Sequence, residues 1–260
     1  MKLTILGARG SVPVEGKEYL EFGGSTSCIL AETDDHAIYL DAGSGIVKTP
    51  DIGDKSVSVL LSHPHIDHML GMPFFPYLAC KDRRIDFYAR TLGEASAGSQ
   101  LDSLFSEPLW PVTVDGYACD FVCHDVTGPF DIGDVHVEWI ESVHPGGGTI
   151  YKLTHEAHSI VYATDYEYDE ARVGELIDFA RGCDVLFFDA MYTDEEASER
   201  KGYGHSSIAQ GLEVVQRSGA KSVRFVHHDP RHDDEFLRKM ESTVKSEKIR
   251  LARNNEVIFL

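Results

Sequence analysis

Basic residues are scarce in this sequence of 260 residues, where 24 Lys and Arg stand against 43 Asp and Glu and leave a formal net charge of -19. The shortage is complete between Arg90 and Lys152, a stretch with ten acidic residues and no Lys or Arg. Sequence-independent binding of duplex DNA or RNA depends on Lys and Arg that neutralise phosphates. The composition therefore argues against a long nucleic acid as partner and leaves small anions open.

Cysteines are also few and lack paired metal-binding or disulfide spacing. The five are Cys28, Cys80, Cys119, Cys123 and Cys183. This pattern predicts neither a disulfide framework nor a zinc finger and fits a reducing compartment. The N-terminal segment lacks the long apolar region of a signal peptide, and no apolar run is long enough to cross a bilayer. We expect a soluble, cytoplasmic protein without a membrane partner.

Linkers, repeats and low-complexity segments are not evident either. The glycines at 146–148 form a run too short for a linker and lie close to His144. With 42% hydrophobic residues the chain can bury a sizeable core. These features predict a single domain over residues 1–260.

Apolar runs bounded by glycine and turn residues predict a strand-rich first half. The expected strands are 2–6, 27–32, 37–40, 57–61, 85–89, 122–126 and 135–140, followed by a hairpin of 151–153 with 159–163.

The second half alternates apolar strands with segments of helical periodicity. We expect helices after an N-cap at Asp169 and after Ser206 or Ser207, a last helix carrying Phe236 to Val244, and strands 185–188 and 222–226. Strands first and alternating helices later indicate an α/β protein, with sheets packed between helical layers.

The chemistry concentrates in one loop, Ser62-His63-Pro64-His65-Ile66-Asp67-His68, directly after the apolar run 57–61. Four side chains able to bind metal lie within six residues. His63 and His65 flank a single residue and can hold one cation together, while Asp67 and His68 can hold a second. The spacing predicts two metals, and the alternative is a histidine-rich surface loop.

Further metal-competent residues follow other predicted strands. His144 follows 137–140, Asp165 follows 160–163, and His227 follows 223–226. One histidine at a strand end is often structural, but several beside a metal loop favour a shared site.

In this order the residues resemble the pattern of the metallo-β-lactamase superfamily, over residues 3 to about 234. The resemblance implies a four-layer αββα sandwich of two mixed sheets. It also implies two bound divalent metal ions. Zinc is expected, with manganese or iron as alternatives. One ion would be held by His63, His65 and His144 and the other by Asp67, His68 and His227, with Asp165 bridging both. His228 adjoins His227, and the resemblance favours His227 as ligand with His228 facing substrate.

Shorter stretches resemble the ribonuclease Z-related phosphodiesterase branch. Among them are 23–28, 40–43, 105–112, the Gly-His-Ser motif at 204–206 and 227–230. In that branch a histidine paired with an acid assists catalysis, which implies His205 and Asp189. Ribonuclease Z usually has Glu at the position of Asp189, so the reach of this pair is shorter here. Asp41 is expected to support a metal-bound histidine through the second ring nitrogen.

The expected function is metal-dependent hydrolysis of a small nucleotide-like phosphodiester, such as a cyclic nucleotide. A metal-bound hydroxide would attack, Asp67 would steady it, and His205 would stabilise charge or protonate the leaving group. The alternatives are a tRNA 3′-end endonuclease, disfavoured by charge and by the absence of a basic arm, a thioester or lactam hydrolase, a diiron redox protein and a non-catalytic metal-binding module.

Several other residues stay open or without a role. Arg9 could contact a phosphate or be an ordinary arginine near a turn, and Trp110 could line a base site, although core packing is favoured. The sequence also leaves a homodimer and the native metal open. Histidines that match no motif are His36, His124, His136, His155, His158 and His232.

Overall fold

The computed structural model describes residues 1–244 and 246–260, all but Lys245. The strands are β1 (Lys2–Gly7), β2 (Cys28–Glu32), β3 (His36–Leu40), β4 (Ser56–Leu61), β5 (Arg84–Arg90), β6 (Asp120–Val126), β7 (Phe130–Ile132), β8 (Val135–Glu141), β9 (Thr149–His155), β10 (His158–Ala163), β11 (Val185–Asp189), β12 (Val223–Val226), β13 (Ile249–Leu251) and β14 (Val257–Phe259). The α-helices are α1 (Ala97–Leu104), α2 (Val173–Phe179), α3 (Asp194–Glu199), α4 (Ile208–Ser218) and α5 (Asp234–Ser242).

The strands form two mixed sheets with the same internal arrangement. The first has the order β14-β1-β2-β3-β4-β5-β6 and the second β13-β12-β11-β10-β9-β8-β7. Three antiparallel pairings are followed by three parallel ones when the first sheet is followed from β14 and the second from β7. This shared arrangement of the two halves was not visible as a repeat in the sequence.

Side chains of alternate strand residues separate into distinct apolar layers. On β11, Val185 and Phe187 enter the layer between the two sheets, whereas Leu186 and Phe188 pack under the helices of the second sheet. The period of two along a strand places neighbours on opposite faces. A third layer covers the outer face of the first sheet and includes Leu101 of α1. The predicted α/β sandwich, two mixed sheets between helical layers, is confirmed.

Most predicted elements occur within one or two residues of the expected bounds, and the hairpin is β9 with β10. The helix expected after Asp169 begins only at Val173. The Asp169 carboxylate accepts a hydrogen bond from the N–H of Ala171, which makes a turn before the helix and not its N-cap. Ser207 is the N-cap of α4, and Gly219 ends that helix in the left-handed conformation.

The prediction omitted α1, α3, β7, β13 and β14, which are short and lack a long apolar period. Among the described residues, no helix is both long and apolar enough to cross a bilayer.

Candidate metal centre

The loop after β4 brings its side chains together through a tight turn. Residues Ile66–His68 form a single 3₁₀ turn, in which the N–H of His68 donates to the carbonyl of His65 at 3.0 Å. His63, Asp67 and His68 are buried, while His65 lies at the exposed rim. The loop therefore directs three polar side chains into the protein at the edge of the sheets.

Three other site residues adopt the left-handed backbone conformation where strands end. The φ angles are 64° at Asp41, 49° at Asp165 and 64° at His227. This conformation is uncommon for residues other than glycine, and such strain concentrates at functional sites. Asp165 and His227 face each other with Oδ1 and Nε2 3.2 Å apart, and Asp41 contacts the His68 ring.

One group of ligand atoms surrounds a single oxygen of Asp165. Nε2 of His63 lies 3.6 Å and Nε2 of His144 lies 3.7 Å from Oδ2 of Asp165. Nε2 of His144 is also 3.2 Å from Nδ1 of His65. Ligand atoms of these four residues all lie within 4.8 Å of one another, a spacing that fits one cation with nitrogen and carboxylate ligands.

A second group surrounds the other oxygen of the same carboxylate. Oδ1 of Asp165 is 3.1 Å from Nε2 of His68 and 3.2 Å from Nε2 of His227. Oδ2 of Asp67 lies 3.3 Å and 3.0 Å from the same two nitrogens. The two oxygens of Asp165 thus face two different groups, which is the arrangement of a bridging ligand.

Two buried imidazole nitrogens without a hydrogen-bond partner among the described residues show whether the two groups fit metal ions. Nε2 of His63 and Nε2 of His68 are buried and have no hydrogen-bond partner in the described part of the chain. A buried polar atom without a partner costs free energy, which a cation that accepts the lone pairs of these nitrogens would offset. The donor set of imidazoles and carboxylates therefore fits two divalent cations.

Burial controls the protonation of the first group. It lowers the pKa of His63, His65 and His144 below the ordinary histidine value, and neighbouring imidazoles reinforce the shift. These rings are therefore neutral near pH 7, the form that binds metal.

In the second group the charges of neighbouring side chains affect the pKa values more than burial does. Burial lowers the pKa of His227, but Asp165 and Asp67 raise it to about 9. Burial favours protonation of Asp67, yet His68 and His227 hold the pKa of its carboxyl below the ordinary value. Two buried carboxylates so close together favour positive charge at this position, which a divalent cation would supply.

Asp41 holds the His68 ring in place through a hydrogen bond to Nδ1. Its Oδ2 accepts hydrogen bonds from Nδ1 of His68 at 2.7 Å and from the Tyr162 hydroxyl at 2.9 Å. Ser62 donates from its N–H to Oδ1 at 2.7 Å and from its hydroxyl to Oδ2 at 2.8 Å. In the neutral ring, a proton on Nδ1 leaves Nε2 of His68 unprotonated and directed at the second group.

His205 and Asp189 form the expected pair at the edge of the cluster. Nδ1 of His205 lies 2.7 Å from Oδ2 of Asp189, so the shorter side chain still reaches its partner. The His205 ring stacks on His227 with centroids 4.7 Å apart. Asp189 is fully buried and accepts further hydrogen bonds from the N–H groups of Tyr166 and Met191.

The structure corrects the expectation for His228, which was predicted to face substrate. His228 is buried and turned away from the cluster, with Nε2 donating to the carbonyl of Ala252 at 2.9 Å. His227 follows the last residue of β12 in the left-handed conformation, and it is the one of the two that enters the cluster.

The Arg9 side chain is buried, binds backbone carbonyls and has no contact with the cluster. It donates to the carbonyls of Gly23, Asp229 and His232 at distances of 2.7 to 3.1 Å. Trp110 packs against the first-sheet core, and its Nε1 donates to the Tyr117 hydroxyl at 2.9 Å.

The loop after β1 contributes a contact that the sequence did not reveal. The N–H of Ser11 donates to Oδ2 of Asp67 at 2.7 Å. Gly10 lies against the ring of His227 so closely that a Cβ there would be 2.3 Å from Nδ1. The available signal was the pair Gly7 and Gly10, because glycines mark turns and close approaches of the backbone.

The remaining histidines lie outside both groups. A separate set of Glu196, Asp229 and His232 could hold a cation by spacing. Both carboxylates already pair with arginines, Glu196 with Arg200 and Asp229 with Arg231, so they carry no uncompensated charge.

Known proteins resemble this chain both in sequence and in structure. A family model described as a beta-lactamase superfamily domain matches residues 36–228. Ribonuclease Z of Picrophilus torridus is 22% identical over 280 positions, covering 90% of this chain and 87% of the relative. The structure of the metallo-beta-lactamase fold protein YhfI from Bacillus subtilis has a TM-score of 0.74 with 19% identity and covers 99% of this chain and 98% of YhfI. The structure of a diphosphatase of the PhnP family has a TM-score of 0.72 with 18% identity, and the match covers 100% of this chain and 97% of the diphosphatase chain.

Proposed function

Because the chain belongs to the beta-lactamase superfamily and is a hydrolase with the metallo-β-lactamase fold, we propose that it cleaves a small nucleotide-like phosphodiester. The observation that carries this proposal is the position of Asp165, whose two oxygens face separate groups of ligand atoms beside the His205–Asp189 pair. Paired cations held in this way suit displacement at phosphorus. We also propose that residues 1–260 act as one domain, since the layer between the sheets draws on both halves.

Each metal would be held by residues of both halves of the chain. We assign His63, His65 and His144 to one ion, Asp67, His68 and His227 to the other, and Asp165 to both. Two divalent cations bound there would supply a water of lowered pKa and would neutralise phosphoryl oxygens. Asp67 and Asp165 orient the attacking water by accepting its hydrogen bonds.

His205 is assigned the protonation of the departing alkoxide. Asp189 accepts the hydrogen bond from Nδ1, so the other ring nitrogen, Nε2, is free to carry a proton toward the leaving group. The N–H groups that bind Asp189 keep this carboxylate in place while the imidazole changes charge.

A cavity of about 650 Å³ beside His205 is lined by none of the assigned metal ligands and could receive the leaving group. One lysine and five carboxylates line it, namely Lys201, Glu167, Asp169, Glu170, Asp194 and Glu213. Such a lining repels a polyanion, so it favours a leaving group without further phosphates.

The second candidate is a ribonuclease Z-like endonuclease acting at the 3′ end of tRNA. Similarity to a ribonuclease Z over 90% of the chain favours it. The charge of -19 and the stretch 91–151 without Lys or Arg disfavour it, because phosphate contacts supply most of the affinity for RNA.

The test compares hydrolysis of bis(p-nitrophenyl) phosphate, a 2′,3′-cyclic nucleotide and a tRNA precursor by the zinc-loaded and manganese-loaded protein. We expect turnover of the two small diesters and none of the precursor. His65→Ala should lose metal and activity together. His205→Ala should keep its metal and lose roughly 10²- to 10⁴-fold in kcat on the cyclic nucleotide, the usual contribution of a general acid.

His158→Ala is the matched control, because His158 is half-exposed and outside both groups. Cleavage of the tRNA precursor without hydrolysis of the small diesters would favour the second candidate. A fully metallated protein that leaves all three substrates intact, or hydrolyses only a thioester or lactam, would contradict the proposal.

A further inference from the structure

The turn that precedes His205 is held by one carboxylate outside the metal cluster. The N–H of Gly202 donates to Oε1 and Oε2 of Glu167 at 2.7 and 2.9 Å, and the N–H of Gly204 donates to Oε2 at 2.8 Å. Glu167 is itself anchored, since its N–H donates to the carbonyl of Val143 at 2.8 Å. A charged acceptor that receives two backbone donors makes stronger hydrogen bonds than a neutral one.

The same turn contacts a metal ligand as well as His205. The carbonyl of Gly204 accepts a hydrogen bond from Nδ1 of His144 at 3.1 Å. A Cβ at Gly204 would lie 2.0 Å from that nitrogen, so the turn is in direct contact with the His144 ring. His205 is the next residue in the chain. Movement of Gly204 must therefore disturb a ligand of the first group and the start of the His205 backbone together.

Packing does little to hold the first part of this turn. Gly202 is exposed and the Tyr203 side chain is 64% exposed, whereas the residue after His205, Ser206, is buried and donates to the carbonyl of Tyr166. The second part of the segment is thus fixed independently. The first part is held by the carboxylate of Glu167 and by one backbone hydrogen bond, from the N–H of Tyr203 to the carbonyl of Arg200 at 3.2 Å.

We propose that Glu167 is a positioning residue that sets the orientation of His144 and of His205 through the turn 202–204. The inference rests on the proposed function for the role of His205, but its effect on metal binding does not. Removal of the carboxylate releases both N–H groups, and the Gly204 carbonyl then loses its fixed position as acceptor for His144. Partners that orient metal ligands typically contribute about 10- to 100-fold to metal affinity or activity.

The variants Glu167→Gln and Glu167→Ala separate this role from a general loss of folding. An amide retains one oxygen for the two N–H groups but places its own N–H₂ beside Gly202, so Gln should be intermediate and Ala the more severe. Glu175→Gln is the matched control, since Glu175 lies on α2, is 54% exposed and is 4.0 Å from Arg172. All variants are compared as full chains with the same fold by circular dichroism.

Zinc affinity is measured by competition with a chromophoric chelator, which resolves the two equivalents without any substrate. We expect roughly 10- to 100-fold weaker binding of one equivalent in the Glu167 variants and unchanged binding of the other, because Asp67, His68 and His227 do not contact the turn. We also expect a greater loss of kcat on the cyclic nucleotide, which has an alkoxide leaving group, than on bis(p-nitrophenyl) phosphate.

Unchanged affinity for both equivalents in the folded Glu167→Gln and Glu167→Ala variants, with kcat reduced equally on both diesters or not at all, would overturn the proposal. If the wild type hydrolyses neither diester, the proposed function fails, while the comparison of zinc affinities still decides the role of Glu167.

Discussion

Replacement of Asp41 by Asn tests whether a buried carboxylate sets the tautomer of His68. The carboxylate receives four hydrogen bonds, two from Ser62 and one each from Tyr162 and His68. Oδ2 accepts three of these hydrogen bonds and Oδ1 accepts one. Asn has nearly the same shape and tolerates the left-handed conformation at this position, so the change alters hydrogen bonding and charge more than packing.

The amide can be placed in two ways, and each has a defined cost. With its nitrogen at Oδ1, two donors face each other across the 2.7 Å contact with the N–H of Ser62, which costs about 1–3 kcal/mol of unfolding free energy. With its nitrogen at Oδ2, the two hydroxyls can rotate, but Nδ1 of His68 must become an acceptor. The proton then moves to Nε2, the atom directed at the metal, and affinity should fall about 10- to 100-fold.

The assay combines urea unfolding of zinc-free protein with a zinc competition titration. Tyr162→Phe is the control, because it removes one donor to Oδ2 and leaves the acceptor for His68 in place. We expect it to cost about 1 kcal/mol and to keep zinc affinity near that of the wild type. An Asp41→Asn protein with wild-type stability and wild-type zinc affinity would refute the argument.

Two further perturbations test other parts of the structure. Gly10→Ala places a Cβ 2.3 Å from the His227 ring, so we expect a loss of about 1–3 kcal/mol in unfolding free energy. Its zinc binding should also weaken, whereas Gly128→Ala, with open space around it, should resemble the wild type in both assays. Burial raises the pKa of Glu32, but Lys2 and Lys55 outweigh it and lower the pKa below its ordinary value. Stability from this group is present above about pH 4.3 and is lost as pH falls through the lower folded pKa, so Glu32→Gln should flatten the acid limb of unfolding free energy measured on metal-free protein.

The strands and the metal loop were the parts most accessible from the sequence. Long apolar runs such as 57–61 and 185–188 identify buried strands, because few other structures accommodate them. The loop at 62–68 was equally clear, since three imidazoles and a carboxylate within seven residues have few structural uses. The candidate ligands of this loop and those that follow β8, β10 and β12 then come together, because these strands end close to one another.

Other features could not be read from residue patterns. The short helices α1 and α3 lie in polar stretches where tertiary contacts, and not periodicity, decide the conformation. The difference between His227 and His228 depends on where β12 ends, and an error of one residue at a strand end reverses the side on which a side chain lies. The role of Glu167 depends on backbone N–H groups 35 and 37 positions away, which no local pattern records.

The candidate metal ligands are distributed over both sheets, which would link the protein's lifetime to metal supply. One set of ligands follows β4 in the first sheet, and the others follow β8, β10 and β12 in the second. Ions bound there would fasten the two sheets together and stabilise the folded chain by RT ln(1 + [L]/Kd), about 4 kcal/mol when free metal is 1,000 times Kd. In cells depleted of metal the unfolded fraction and its degradation should rise, so the abundance of the protein would report on metal availability before any catalytic effect is measured.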